Sequence, residues 1–296
     1  MKIAITGARG YLGENIIKEL EKKDVDIIRV NRHLLYGLPQ DLAKLISGCH
    51  AVINLAGAPI IQRWTKKNKV IIYNSRVLTT KNLCTAINSL SGNKQPSIYI
   101  SASATGIYRE NATHDESSSK FANNFAARVV DDWEDASEGL DDKIRKVIFR
   151  TGVVLGKKSQ TISKLKPLFK LGLGAKIGNG KQPFPYIHIN DLVNAYSQAI
   201  FNKQYVGIYN LVAPEMINNA TFTKTFAHAV SRPAFLRVPT FFLILILGKS
   251  SQLLCKGSDV IPSRLAKLNF EYEYPTIDQA MDEITKNKNK KTPPLW

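Results

Sequence analysis

Residues 6–13, Thr6-Gly7-Ala8-Arg9-Gly10-Tyr11-Leu12-Gly13, place three glycines between a short apolar segment, Ile3–Ile5, and an amphipathic helical segment, Tyr11–Lys23. At a strand-to-helix bend, glycine lets the backbone turn sharply and approach a pyrophosphate, and the helix start points free amides at the phosphates. The chemistry this spacing supports is dinucleotide binding, by Gly7, Arg9, Gly10, Tyr11, Leu12 and Gly13. A carboxylate that would hold a ribose 2′-hydroxyl belongs at the end of the second strand. Asn31 and Arg32 stand there instead, while Asp24 and Asp26 precede the strand body. A guanidinium in that place suits a 2′-phosphate, and Arg9 offers a second cation, so NADP(H) is expected over NAD(H). The plainer reading of Arg32 is a surface arginine.

These residues need a scaffold, and the first half alternates accordingly. Strands are expected at Ile3–Ile5, Asp26–Asn31, Ala51–Leu55, Ser97–Ser101 and Lys146–Arg150. Helices are expected at Tyr11–Lys23, Pro39–Ser47, Lys66–Leu90 and Phe125–Glu138. The rhythm predicts an α/β fold, a Rossmann-type doubly wound parallel sheet over residues 1–155 with return elements in 185–212. A glycine- and proline-rich break follows Gly156. Residues 156–184 and 213–296 are expected to form a smaller, intergrown, substrate-facing domain, with strands Phe235–Val238 and Phe270–Tyr274 and a closing helix.

The bulk composition is that of a soluble globular chain, 44% hydrophobic and 22% charged over 296 residues. Cys49, Cys84 and Cys255 are scattered, which fits a reducing, cytoplasmic setting and neither a disulfide framework nor a metal site. No signal peptide is expected from Met1-Lys2-Ile3. The apolar run Phe241–Leu247 is far shorter than the roughly 20 residues of a membrane span. It is expected as a buried helix, with a membrane-surface contact as the alternative, and no membrane partner is expected. The net charge of +17 would attract polyanions, yet no nucleic-acid module accompanies it, and nucleic acid is not expected as a partner. The Lys286–Lys291 stretch reads as a solvated, frayed end.

Further marks extend along nearly the whole chain: Asn54-Leu55-Ala56-Gly57, Arg63-Trp64-Thr65, Ser75-Arg76, Ser101-Ala102-Ser103-Ala104-Thr105-Gly106, Trp133-Glu134, Arg150–Leu155, Ile187–Asp191 and Arg232-Pro233. With the glycine loop they resemble the extended short-chain dehydrogenase/reductase superfamily. More narrowly, they resemble its atypical epimerase family, whose members often carry epimerase or cell-division-inhibitor labels. The resemblance implies that Leu55, Ala56 and Gly57 line the cofactor, with Ser101 and Ala102 beside it, and that Arg150 and Gly152 follow its reactive end. It also implies that Ser103 matches a catalytic Ser/Thr and that His188 and Asp191 join the two domains. Arg109 and Lys249 stand where the family usually has glycine and glutamate.

The superfamily's Tyr-x-x-x-Lys pair is absent. None of the 11 tyrosines has lysine four residues on, and the expected helix reads Phe125-Ala126-Ala127-Arg128-Val129. Such a pair works because a nearby lysine lowers the tyrosine pKa and helps hold the cofactor ribose, whereas phenylalanine cannot relay a proton and valine cannot hold a ribose. Ser103 and Tyr108 are then the candidate catalytic residues, against a satisfied loop hydroxyl and a packed aromatic. His188, Trp64 and Trp133 read more simply as structural. Arg63 and Arg76 each call for an anion, for which a cofactor phosphate is available. Two functions remain open: an NADP(H)-dependent oxidoreductase or epimerase-like enzyme acting on an unknown small molecule, and a catalytically silent NADP(H) sensor.

Overall fold

The computed structural model describes residues 1–286. Six strands, β1 (Lys2–Thr6), β2 (Asp26–Val30), β3 (Ala51–Asn54), β4 (Ile98–Ala104), β5 (Arg145–Thr151) and β6 (Gly207–Leu211), pair in parallel in the order β6-β5-β4-β3-β1-β2. Ten helices have eight residues or more among the described residues. They are α1 (Tyr11–Glu21), α2 (Pro39–Ile46), α3 (Lys66–Asn74), α4 (Val77–Asn88), α5 (Phe125–Asp135), α6 (Gln160–Lys170), α7 (Ile189–Phe201), α8 (Asn219–Ala229), α9 (Thr240–Leu247) and α10 (Ile277–Thr285).

The strands are apolar on both faces because both are covered. Ile3, Ile5, Ile100 and Phe149 pack on one side with Ile16 of α1 and Tyr196 of α7. Ala4, Val52 and Tyr99 pack on the other with Leu42 of α2 and Leu83 of α4. The fold is therefore the expected doubly wound Rossmann-type sheet. The chain leaves β1 outward to β2, then crosses back to β3 on its other side. That reversal opens a crevice beyond the carboxyl ends of β1 and β3, where such sheets bind ligands.

A further core cluster lies beyond the sheet, in which Ile162 and Phe169 of α6 meet Phe222 and Phe226 of α8 and Met281 of α10. Phe169 and Phe226 stack with ring centres 4.3 Å apart. Strand 236–238 pairs with 175–177, tying together segments that lie before and after β6 in the chain.

Four expectations need correction. Lys66–Leu90 is two helices, broken at Ser75-Arg76. The Ser75 hydroxyl turns back to the Ile72 carbonyl at 2.9 Å and accepts the Ala58 amide at 2.9 Å, pinning the break to the loop after β3. Phe270–Tyr274 is not a strand, because the Glu273 and Tyr274 amides donate to the Asp191 carboxylate at 2.6 and 3.2 Å rather than to a neighbouring chain. Burial pushes that carboxyl up to about 6 against those two amides. The sixth strand, β6, lies within the expected return elements but was not itself read. Finally, α9 is not buried: six of its eight residues are exposed, and Leu243 and Leu247 are only partly covered. The expected frayed end at Lys286–Lys291 lies outside the described residues except for Lys286.

Candidate functional site

The crevice at the β1/β3 reversal is a cavity of about 510 Å³, lined by Gly7 to Gly10, Arg29 to Arg32, Leu55 to Pro59 and a few side chains from the helices beyond. Gly7 sits at φ +65°, and a Cβ there would lie 2.7 Å from the Leu55 carbonyl oxygen. A Cβ on Gly13 would lie 2.5 Å from the Gly7 oxygen, so the helix can start this close to the strand only with glycine at both places. No side chain caps α1 at Gly10, and the first helical bond is Glu14 N–H to Gly10 O at 2.9 Å. The amides of Tyr11, Leu12 and Gly13 therefore have no intrahelical acceptor and stand at the positive end of the helix dipole.

The loop is fixed from below by a buried polar network. The Thr6 hydroxyl donates to Asn54 Oδ1 at 2.7 Å and accepts the Leu55 and Ala56 amides at 3.0 and 3.1 Å. Asn54 Nδ2 in turn donates to Thr80 and to the Tyr99 hydroxyl. Thr6 and Asn54 thus lock the Leu55-Ala56-Gly57 backbone against the glycine loop. Thr6→Val keeps the shape and leaves two amides and one amide oxygen unpaired. It is expected to cost about 2–4 kcal/mol of stability, read from denaturant unfolding.

Among the described residues three arginines line this crevice, Arg9, Arg29 and Arg32, and no carboxylate does. Arg29 is paired at 3.1 Å with Glu21. Arg9 and Arg32 make no ion pair among the described residues, and Arg32 lies 5.8 Å from the Tyr36 ring. Asn31 and Arg32 stand where the sequence placed them, at the end of β2. Arg29 was missed, because a two-residue alternation puts it on the face opposite buried Val30 and marks it as an outward residue.

Arg76 follows the helix break and lies under Gly57, where a Cβ would meet the guanidinium carbon at 3.0 Å. Its Nη1 donates to the Ala58 carbonyl at 3.0 Å, and its guanidinium lies 5.3 Å from the Trp133 ring. Burial lowers its pKa to about 10, which leaves it a cation at neutral pH with no carboxylate partner among the described residues.

The side chains of the other candidates lie outside this crevice. Arg150 does not reach the crevice. Its Nε and Nη2 donate to the two oxygens of Glu134 at 2.9 and 2.7 Å, and its Nη1 donates to the Tyr108 hydroxyl at 3.0 Å. Burial opposes its charge, but the hydrogen bonds and charge of Glu134 hold the guanidinium above its ordinary pKa. Tyr108 is a packed aromatic. It is 3% exposed, stacked on His114 at 4.9 Å, and its hydroxyl donates to Asn210 Oδ1 at 2.8 Å while accepting from Arg150. The Ser103 hydroxyl donates to Glu134, in register with Arg150 across β4 and β5. Gly152 meets a packing demand, since a Cβ there would lie 2.7 Å from the Pro185 oxygen. Tyr11 lends its backbone to the loop, but its ring leaves, the hydroxyl lying against Gly156. Burial, with Glu283 nearby, raises that phenol to about 12. Ser101 and Ala102 are buried in β4 and do not line the crevice. Glu134, the centre of the buried cluster, is marked in the sequence with Trp133 but given no role there, because a carboxylate on a helix between Asp132 and Asp135 looks like part of a solvated face.

Where a Tyr-x-x-x-Lys pair would stand, Phe125 packs edge-on to Trp64 at 5.0 Å and Val129 is buried beside it. His188 caps α7 and lies 3.3 Å from Glu283, a structural role in keeping with its sequence setting. Among the described residues no helix is long and apolar enough to cross a membrane, and no cluster of His, Cys, Asp or Glu could hold a metal ion.

Comparison with known proteins agrees with this architecture. Residues 3–211 match the model of the NAD dependent epimerase/dehydratase family, and residues 238–284 match a domain of unknown function, DUF1731. An epimerase family protein SDR39U1 homolog, chloroplastic, from Arabidopsis thaliana is 30% identical, over 96% of this chain and 86% of its own. The human epimerase family protein SDR39U1 is 30% identical over 96% of this chain and 99% of its own. A crystal structure of the human protein (isoform 2) with NADPH superimposes with a TM-score of 0.90, covering 97% of this chain and all of that one. A dTDP-4-dehydrorhamnose reductase from Clostridium acetobutylicum, 18% identical, shares the fold with a TM-score of 0.78.

Proposed function

The chain belongs to the NAD dependent epimerase/dehydratase family, and on that premise we propose that it holds NADP(H) in the β1/β3 crevice and acts, reductase- or epimerase-like, on a small molecule. The observation that carries the cofactor choice is the crevice at the end of β2, lined by Arg9, Arg29 and Arg32 and by no carboxylate. The human relative crystallised with NADPH supports the same choice. The free amides of Tyr11, Leu12 and Gly13 would hold the diphosphate, and Arg32, with Arg9 across the crevice, would hold the 2′-phosphate. NADP(H) supplies a hydride donor or acceptor when bound. The chain's part is to bind and orient it, and Ser103, fixed by Glu134 at the end of β4, is the hydroxyl assigned to the reacting end. The three cysteines are all free, in keeping with a reducing compartment such as the cytoplasm.

Arg32→Asp tests the cofactor choice. A charge-assisted bond to phosphate contributes about 1.5–3 kcal/mol, so NADPH affinity is expected to fall on the order of tenfold to a hundredfold while NADH affinity changes little. Equal losses for both coenzymes in parallel calorimetric titrations would contradict it. A second reading, a silent NADP(H) sensor, is favoured by one arrangement: the Phe125–Trp64–Val129 packing leaves no proton relay, and the Ser103 and Tyr108 hydroxyls are both engaged internally. A screen of carbonyl compounds and nucleotide sugars followed by NADPH absorbance separates the two. Oxidation of NADPH that Ser103→Ala removes supports turnover, and tight binding without turnover supports the sensor.

A further inference from the structure

Helix α9 reads Thr-Phe-Phe-Leu-Ile-Leu-Ile-Leu, apolar around its whole circumference, and no residue of it is buried. A helix of that composition normally lies inside a core. Here Leu245 is 68% exposed, and Phe235 just upstream is 90% exposed. The patch continues beyond the helix. Arg232 Nε donates to the Lys170 carbonyl at 2.9 Å, and strand 236–238 pairs with 175–177. These contacts bring the end of α6, with Leu168, Leu171 and Leu173 all exposed, beside Phe235 and Leu236. So large a bare apolar surface on a single chain marks a contact with something else.

The charge around it says what. Within residues 156–184 all seven charged side chains are lysines, and within 216–258 all five are lysine or arginine. Lys170, Lys176, Arg232, Arg237 and Lys249 flank the apolar residues, Arg237 standing opposite Lys176 in the strand pair. None of the five forms an ion pair among the described residues. A symmetric contact between two copies would set this face against itself and bring cations together with no carboxylate to meet them. An anionic bilayer answers both features: acyl chains take the leucines, isoleucines and phenylalanines, and headgroup phosphates take the rim. At eight residues the helix is about 12 Å long, less than half the roughly 30 Å hydrocarbon core, so it lies in the interface and does not span it.

We propose that α9, with Phe235 and the end of α6, is a docking surface for an anionic lipid membrane. The sequence leaves a membrane-surface contact as the alternative to a buried run, and this proposal takes that alternative.

Co-sedimentation of the full chain with phosphatidylcholine vesicles, with and without phosphatidylglycerol, tests it. Binding is expected only to the vesicles containing phosphatidylglycerol, and part of it should survive raised salt. Leu245→Glu should weaken binding about tenfold or more without changing the melting temperature, because the side chain touches little in the free protein. Lys249→Ala should weaken it about fivefold at low salt. The proposal is overturned if the chain ignores both vesicle types, or if Leu245→Glu binds as tightly as the parent. Binding that salt alone abolishes would also overturn it, since that is the behaviour of any basic protein near a polyanion. A chain that ignores vesicles and elutes as a dimer, split by Leu245→Glu, would replace the membrane with a second copy.

Discussion

Gly7→Ala is expected to remove measurable NADPH binding, by a factor on the order of a hundred or more. The new methyl would sit 2.7 Å from the Leu55 carbonyl oxygen and 2.9 Å from its carbon, in a backbone held at φ +65°. The left-handed conformation alone costs a residue with a Cβ about 1–2 kcal/mol. The clash cannot be relieved by moving Leu55, because its amide and that of Ala56 are both tied to the Thr6 hydroxyl. The loop must move instead, and a displacement of about 1 Å at a site that works by geometry can cost a hundredfold. Gly139→Ala is the control: among the described residues nothing beyond its own chain neighbours lies within 4 Å of the added carbon, and neither affinity nor melting should change. Calorimetric titration of both variants with NADPH checks the pair.

The second large effect belongs to the cluster under β4 and β5. Arg150→Met would leave the Glu134 carboxylate buried with the Ser103 hydroxyl alone, both oxygens having lost their charged donor. Breaking a buried ion pair from one side costs about 3–5 kcal/mol, which for a chain of this size lowers the melting temperature by about 10 °C. Removing both charges, in Glu134→Gln/Arg150→Met, should recover most of that loss, because the cost lies in the uncompensated charge. Melting curves of Arg150→Met, Glu134→Gln and the double variant decide it. If the single and double variants melt alike, the pair is not a coupled unit. The Tyr108 hydroxyl loses one partner in Arg150→Met but keeps Asn210, so Tyr108→Phe is expected to cost only about 1–2 kcal/mol by the same measurement.

Much of this molecule was legible in its residues because the informative signals are local. Three glycines after a buried strand specify the loop, and the alternation of apolar strands with amphipathic helices specifies the sheet. The absence of a carboxylate after Val30 is likewise a property of one position. What escaped depends on contacts between distant segments. Asp191 draws the amides of Glu273 and Tyr274 to itself across 82 positions of sequence, turning an apparent strand into a loop. Arg150 looked available for a ligand until Glu134, from another element, was seen to occupy it. Conversely, α9 looked buried because its composition is that of a core helix. Whether a core exists on its other side is a tertiary fact that no local pattern carries.

A crystal structure of the chain grown with NADPH tests at once that this cleft is the coenzyme site and that it takes NADP(H). The diphosphate should lie against the amides of Tyr11, Leu12 and Gly13, and the 2′-phosphate should lie within hydrogen-bond reach of Arg32 or Arg9. A dinucleotide found elsewhere on the molecule, or one seated in the cleft with its 2′-phosphate turned to solvent away from both arginines, would contradict it.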